Sequence, residues 1–207
     1  MDLSKLHFFG SELAHYTHRV FWDIYPLSKQ EFSESSIYRR ASYDYIVQTI
    51  EKSSDLTTIL INYLSSETPA NTYAKKFLQG KALKIFPATL GDALINLGRL
   101  RNKVVHENST VNAALTAYDQ LGMLVVASFS MGTLAQTFSR CLSNRNIDDS
   151  NVVIDANYLL NFANRKSQNQ LYAKSIDKVV ERIKTDKSIF TCHIDIRSIK
   201  EMVSKIT

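Results

Sequence analysis

Leu100-Arg101-Asn102-Lys103-Val104-Val105-His106-Glu107-Asn108 lies at the middle of the chain, where two apolar-periodic segments meet. Upstream, Leu90, Leu94, Leu97 and Val104 recur at steps of three, four and seven, the spacing of one buried helical face. They predict a helix from Thr89 to His106. Downstream, Ser109 or Thr110 can cap a second and longer helix, Val111 to about Leu142, spanning ~48 Å at 1.5 Å per residue. A helix end, a short polar break and a helix start make the central part of the chain helical.

The same period extends towards the N-terminus. Leu6, Phe9, Leu13, Tyr16 and Val20 predict a helix over Leu3 to Tyr25, stopped by Pro26. Ile37, Tyr38, Tyr45, Ile46 and Ile50 predict another over Phe32 to Glu51, with Arg39-Arg40 on its exposed side. Ser53-Ser54-Asp55 reads as a break before a third, Leu56 to Leu64. A short helix, Thr72 to Leu78, fits between Pro69 and Pro87. Gly122 and Gly132 weaken the longest helix, and the expectation is that they let another helix approach closely.

After Cys141 the pattern changes. Residues 144–150, with Asp148-Asp149, read as a linker between a helical domain (1–143) and a smaller unit (151–207). Val152-Val153-Ile154 is a compact β-branched run. A helical stretch, Leu171 to Lys184, a second strand-like run, Ser188 to Cys192, and a helical pattern, Ile194 to Ile206, follow. That is the order of a β-α-β unit with a trailing helix. The fold class expected is mainly α, with a small α/β appendage.

The totals narrow the function classes. The 207 residues are 44% hydrophobic, enough for a sizeable core. Charge is +5, from 25 Lys plus Arg against 20 Asp plus Glu, which suits a nucleic-acid partner but equally a solvated surface. Cys141 and Cys192 form no zinc spacing and suit a reducing compartment. The N-terminus lacks a signal-peptide profile, and the longest apolar run, Leu121 to Phe129, is short of the ~20 residues of a membrane span. A cytoplasmic protein with no membrane partner is expected.

Arg101 and His106 combine the side chain best shaped for phosphate with the one that moves protons near neutral pH. The R-x-x-x-x-H arrangement resembles the signature of the HEPN superfamily, helical domains found in metal-independent RNases, many of them toxins or antiviral effectors. The long helix ending in Leu-Arg-Asn and His, the break at Glu107–Thr110 and the long apolar helix extend the resemblance over about Leu3 to Leu142. It implies a HEPN-like bundle acting as a homodimer on RNA, with His106 in acid–base chemistry, Arg101 on the phosphate and Asn102 as orienter. Lys103 and Arg99 would attract RNA to the cleft, and the site would need no metal. On an ideal helix Arg101 and His106 are about 140° apart, so they converge only if the helix frays or across a two-fold axis. An Arg and a His near a helix end also satisfy the helix dipole without any catalytic role. Asn108 stands where HEPN toxins paired with a nucleotidyltransferase antitoxin carry a modified Tyr, so control of that kind is not expected; an antitoxin or defence-system partner of another kind remains compatible.

Val152-Val153-Ile154-Asp155-Ala156-Asn157-Tyr158-Leu159-Leu160 resembles the opening of a PIN domain, where a strand ends in an Asp that helps hold Mg²⁺ or Mn²⁺. Glu201 matches the place of that family's second acid. The resemblance implies a metal site at Asp155 and Glu201, incomplete within 207 residues. The plain alternative is that Asp155 is a helix cap and Glu201 a solvated helix residue. The competing functional class is thus a non-catalytic HEPN dimerisation or RNA-binding module attached to a PIN-type nuclease. Glu12-x-x-His15-x-x-His18 reads as a wet helix face rather than a metal site, Tyr38, Tyr43 and Tyr45 as half-buried core, and His7 and His193 have no evident sequence partners.

Overall fold

The computed structural model describes residues 3–106, 111–143, 147–166 and 172–205. Among them the chain forms α1 (Leu3–Arg19), a π-helical turn (Val20–Ile24), α2 (Lys29–Glu34), α3 (Ser36–Leu64), α4 (Tyr73–Ala82), α5 (Ala88–His106), α6 (Val111–Tyr118), α7 (Leu121–Leu142), β1 (Val152–Ile154), α8 (Ala156–Arg165), α9 (Ile176–Thr185), β2 (Cys192–Ile194) and α10 (Ile196–Ser204). The protein is mainly helical, as its periodicity dictates. The expected caps Ser109 and Thr110, Leu171 at the start of the expected C-terminal helical stretch, part of the linker (144–146) and the side chain of Tyr38 lie outside the described residues.

Several helix boundaries differ from the sequence expectation: α4 runs on to Ala82, and the helix expected over Leu171 to Lys184 begins, after a turn at 172–175, only at Ile176. The break at Ser53-Ser54-Asp55 does not occur, and α3 runs unbroken through it. The reason is local: Ser53 Oγ donates to the Thr49 carbonyl (2.9 Å) and Thr57 Oγ1 to that of Ser53 (2.8 Å), so these hydroxyls are satisfied inside the helix instead of capping an end. The helix expected over Phe32 to Glu51 is broken at Ser35, whose backbone is extended: Phe32 belongs to a separate helix, α2 (Lys29–Glu34), started by a reciprocal capping box between Ser28 and Glu31. The single helix expected from Val111 to Leu142 is two, α6 and α7, with Asp119 and Gln120 between them. At that corner Arg182 takes the Tyr118 carbonyl (3.1 Å) and Lys29 pairs with Asp119 (3.1 Å), supplying partners that a continuous helix would exclude.

α7 is the bundle's central rod. It packs on α1, α3 and α5, and on its other side on α10, β1 and β2. By length and composition it could cross a membrane, but 72% of its apolar window is buried in the protein, so its apolarity is that of a core helix. Gly122 admits a close approach: a Cβ there would lie 2.6 Å from Asp186 Oδ2 and Ser188 Oγ. The approaching group is the turn after α9, not a helix. At Gly132 a Cβ would meet nothing within 4 Å, contrary to the expectation of a close neighbour.

The C-terminal strands pair antiparallel, Val152 opposite Ile194 and Ile154 opposite Cys192. A right-handed β-α-β unit would make them parallel, so the expected topology is not the one formed. The second strand also begins later than expected, because Ser188 is held in a turn by Asp186, which accepts from its backbone N–H at 2.8 Å and its hydroxyl at 2.6 Å. Ile154, Cys192, Ile194 and Ile199 belong to the same continuous apolar core as the bundle. Arg182 fastens α9 to it. Its guanidinium donates to the carbonyls of Tyr25 (2.6 Å), Leu27 (3.2 Å) and Tyr118 (3.1 Å), between the rings of Tyr25 and Tyr118 at 4.5 and 4.0 Å.

Candidate active site

α5 presents the Arg–His motif. Leu90, Leu94, Leu97, Leu100 and Val104 are buried along it, and Lys103 and His106 occupy its last turn, where positive charge is favoured by the helix dipole. The helix packs most extensively on α4. Gly98 makes that approach possible, since a Cβ there would lie 2.9 Å from the Ala74 backbone nitrogen and 3.2 Å from Tyr73 Cβ.

That contact seats Tyr73 beside Arg101. The half-buried guanidinium lies over the Tyr73 ring at 4.8 Å. Its Nε (3.2 Å) and Nη2 (2.6 Å) both donate to Oε1 of Glu51, from α3. The Tyr73 hydroxyl donates to the same oxygen at 3.2 Å. Burial, then the Glu51 charge, pushes the Tyr73 phenol above its ordinary pKa and keeps it a neutral donor. Arg101 thus points inward, into a three-residue cluster drawn from three helices.

The other motif residues point elsewhere. Asn102, His106 and Arg99 are exposed, and Lys103 is half-buried with its Nζ 3.2 Å from Thr116 Oγ1 on α6. At 100° per residue these four fall within an arc of about 100°, with Arg101 on the far side. The structure therefore brings Arg99, Asn102, Lys103 and His106 to one face and does not bring Arg101 to it. Glu107 to Thr110, where fraying would matter, lie outside the described residues.

At 100° per residue Val104 and Val105 flank Arg101, so the groove of about 630 Å³ that opens between the start of α3 and the end of α5 lies on Arg101's side of the helix, and neither Asn102 nor His106 lines it. Arg39, Arg40, Tyr43 and Asp44 line one side and Val104 and Val105 the other. The basic pair read only as the exposed side of a helix is therefore next to the last turn of α5. Long-range packing of α3 on α5 creates this neighbourhood, and no spacing in the sequence announces it. Glu51 and Tyr73 were missed for the same reason.

The carboxylates proposed for a metal are apart from all this. Asp155 caps α8, accepting from the Tyr158 backbone N–H at 2.9 Å, and Glu201 is exposed on α10. Asp195 caps α10 in the same way. In the antiparallel ladder Asp155 and Asp195 sit at opposite ends, so strand-end acids do not gather. Among the described residues no three His, Cys, Asp or Glu side chains are grouped as a metal would need. Glu12 pairs with Lys52 (3.5 Å), and His18 packs edge-on against Tyr172, both as a helix surface rather than a metal face. Tyr43 is buried and Tyr45 half-buried under Arg19. His7, by contrast, has a partner after all, Ser139 Oγ at 2.9 Å.

Comparison of the chain with known protein families, with curated proteins and with solved structures finds no match in any of the three.

Proposed function

We propose that this chain is a metal-independent endoribonuclease of the HEPN type, acting as a homodimer, in the manner of a toxin or antiviral effector. The observation that carries the reading is the end of α5: His106 and Asn102 exposed on one face, and Val104 and Val105 lining a groove that bears Arg39 and Arg40. A groove with two guanidinium groups and one carboxylate attracts a polyanion. Imidazole is the side chain suited to moving protons near neutral pH.

In this reading two copies place their α5 ends around one phosphodiester. His106 of one copy takes the proton of the 2′-hydroxyl, the 2′ oxygen forms a bond to phosphorus, and the bond to the 5′ oxygen breaks. The second His106 delivers a proton to that leaving oxygen. The products are a 2′,3′-cyclic phosphate and a 5′-hydroxyl. Asn102 orients the imidazole or the phosphate, and Lys103 and Arg99 raise the local potential. Arg101 meets the phosphate only by giving up part of its bond to Glu51; Nη1, which takes no part in either bond to Glu51, is the edge closest to that role.

One observation favours a second reading. Arg101 is tied through Nε and Nη2 to Glu51 and stacked on Tyr73, which suits a non-catalytic RNA-binding or dimerisation module, attached to a metal-dependent nuclease of PIN type. Incubating purified protein with RNA in EDTA separates the two. Cleavage that disappears in His106→Ala, with folding and dimerisation intact, supports the first. Cleavage that requires Mn²⁺ and survives His106→Ala, or RNA binding without cleavage, supports the second. A chain that stays monomeric with RNA bound removes the composite site.

A further inference from the structure

A second cavity, of about 590 Å³, runs between α1 and α7 and shares no residue with the α5 face. The volume is in the range of small-molecule sites. The two helices are antiparallel here: His7 meets Ser139, and a Cβ on Gly10 would lie 3.9 Å from Ala135 Cβ. From His7 to His18 the cavity follows α1 for ~16 Å at 1.5 Å per residue. Small residues usually let helices close up, but here the space stays open, and a Cβ on Gly132 would enter it without touching anything within 4 Å.

The two ends differ chemically. At one, His7, Ser139 and Arg140 converge. At the other, Phe129 and Phe162 meet edge to face, with centroids 4.9 Å apart, beside His18. Arg140 is the one permanently charged side chain among the described lining residues, the other ionisable ones are the imidazoles of His7 and His18, and among the described residues no acid lines the cavity. Thr17 Oγ1 in its wall is buried with no partner, whereas Thr49, Thr57, Thr58, Thr133 and Thr137 each bond back to the carbonyl four residues earlier. An unpaired hydroxyl, an aromatic end and a wholly basic charge set describe a site whose complement is amphipathic and negative.

We propose that this cavity binds a small aromatic anion, its ring system packed against the Phe129–Phe162 pair and its carboxylate or phosphate at His7, Ser139 and Arg140. Neither a metal nor a second copy of the chain is needed. The site stands independently of the ribonuclease reading.

The test uses the full chain and three probes of one ring system, titrated by calorimetry: 1-naphthoate, 1-naphthyl phosphate and the neutral 1-naphthalenemethanol. Both anions are expected to bind at least about tenfold tighter than the alcohol, the ratio of a charge-assisted hydrogen bond to a neutral one. The stronger of the two anions identifies the head group. Arg140→Gln, an exposed position, is expected to weaken the anions about tenfold and leave the alcohol unchanged. Gly132→Leu, whose side chain would fill the space, is expected to abolish binding of all three while the circular dichroism spectrum stays that of the parent. Equal affinity for anion and alcohol, no binding by any probe, anion binding indifferent to Arg140→Gln, or binding that survives in a folded Gly132→Leu protein would each overturn the proposal. If Gly132→Leu does not fold, Arg140→Gln decides alone.

Discussion

Arg101 on α5 and Glu51 on α3, fifty positions apart, meet at 2.6 Å with both side chains about four-fifths buried. This pair, with Tyr73 stacked on it, locks the α3, α4 and α5 helices together where the motif begins. Removing one partner leaves the other charge half-buried without its counterion. Arg101→Ala and Glu51→Ala are each expected to lower unfolding free energy by about 1–3 kcal/mol, measured by urea denaturation. The double substitution should cost less than the sum of the two. Arg101→Lys should recover only part of the loss, since an ammonium cannot both stack on Tyr73 and make the paired contact. An unchanged midpoint in Arg101→Ala would mean the cluster is ornamental to stability.

His106 makes the opposite case. It is exposed at the last residue of α5. His106→Ala should leave stability within about 0.5 kcal/mol of the parent while eliminating the metal-independent RNA cleavage proposed for the chain, assayed in EDTA. A large loss of stability would place the residue among the structural ones.

Much of the helical architecture was legible because Leu90, Leu94, Leu97 and Val104, or Leu6 and Leu13, keep a 3.6-residue period that only a helix uses. What the sequence hid was where the chain's polar groups go. Ser53 looks like a cap until its hydroxyl is seen bonded to Thr49. The corner between α6 and α7 depends on Arg182, 64 positions beyond Tyr118. A run such as Val152–Ile154 announces a strand but carries no signal for parallel or antiparallel pairing. At the candidate site, the exposed face with Asn102 and His106 follows from helical geometry. The capture of Arg101 by Glu51 and Tyr73 is tertiary and left no local mark.

Gly122 and Gly132, ten positions apart on α7, are expected to respond with opposite signs. Gly132→Ala places a methyl group in open space and removes a flexible residue from a helix interior, so stability should rise by about 0.5–1 kcal/mol. Gly122→Ala drives a methyl group to within 2.6 Å of Asp186 and Ser188 and should destabilise by about 1–3 kcal/mol. Thermal midpoints of the two variants measured side by side would decide; equal shifts would contradict the packing described.

Arg182→Ala removes a guanidinium that serves three carbonyls and two aromatic rings at once. A loss of at least about 3 kcal/mol is expected. Limited proteolysis should then cut first near α9, and hydrogen exchange there should quicken before exchange in α3. Uniform acceleration throughout would instead indicate one cooperative unit with no weak end.

His18 should make stability depend on pH. Burial holds its imidazole below its ordinary value, helped by Lys166, Arg19 and His15 and opposed by Asp23. Above the unfolded value of about 6.5 both states are neutral and no penalty exists. As pH falls below it, the unfolded chain takes up a proton that the folded chain resists, so stability declines until the lowered folded value is passed. The urea midpoint should drop as pH falls through and below about 6.5 in the parent, and by less in His18→Asn. Identical slopes would assign the dependence to other groups.

The seam between α1 and α7 joins residues 132 positions apart, as in the pair His7 and Ser139. On the ribosome, α1 emerges long before its mate exists. Leu6, Leu13 and Val20, all fully covered in the finished protein, stay wet throughout that interval, and the nascent chain offers them to whatever apolar-binding chaperone is near. Codon choice upstream of α7 therefore sets how long this hazard lasts, and slowing translation there should lower soluble yield with no change of a single amino acid.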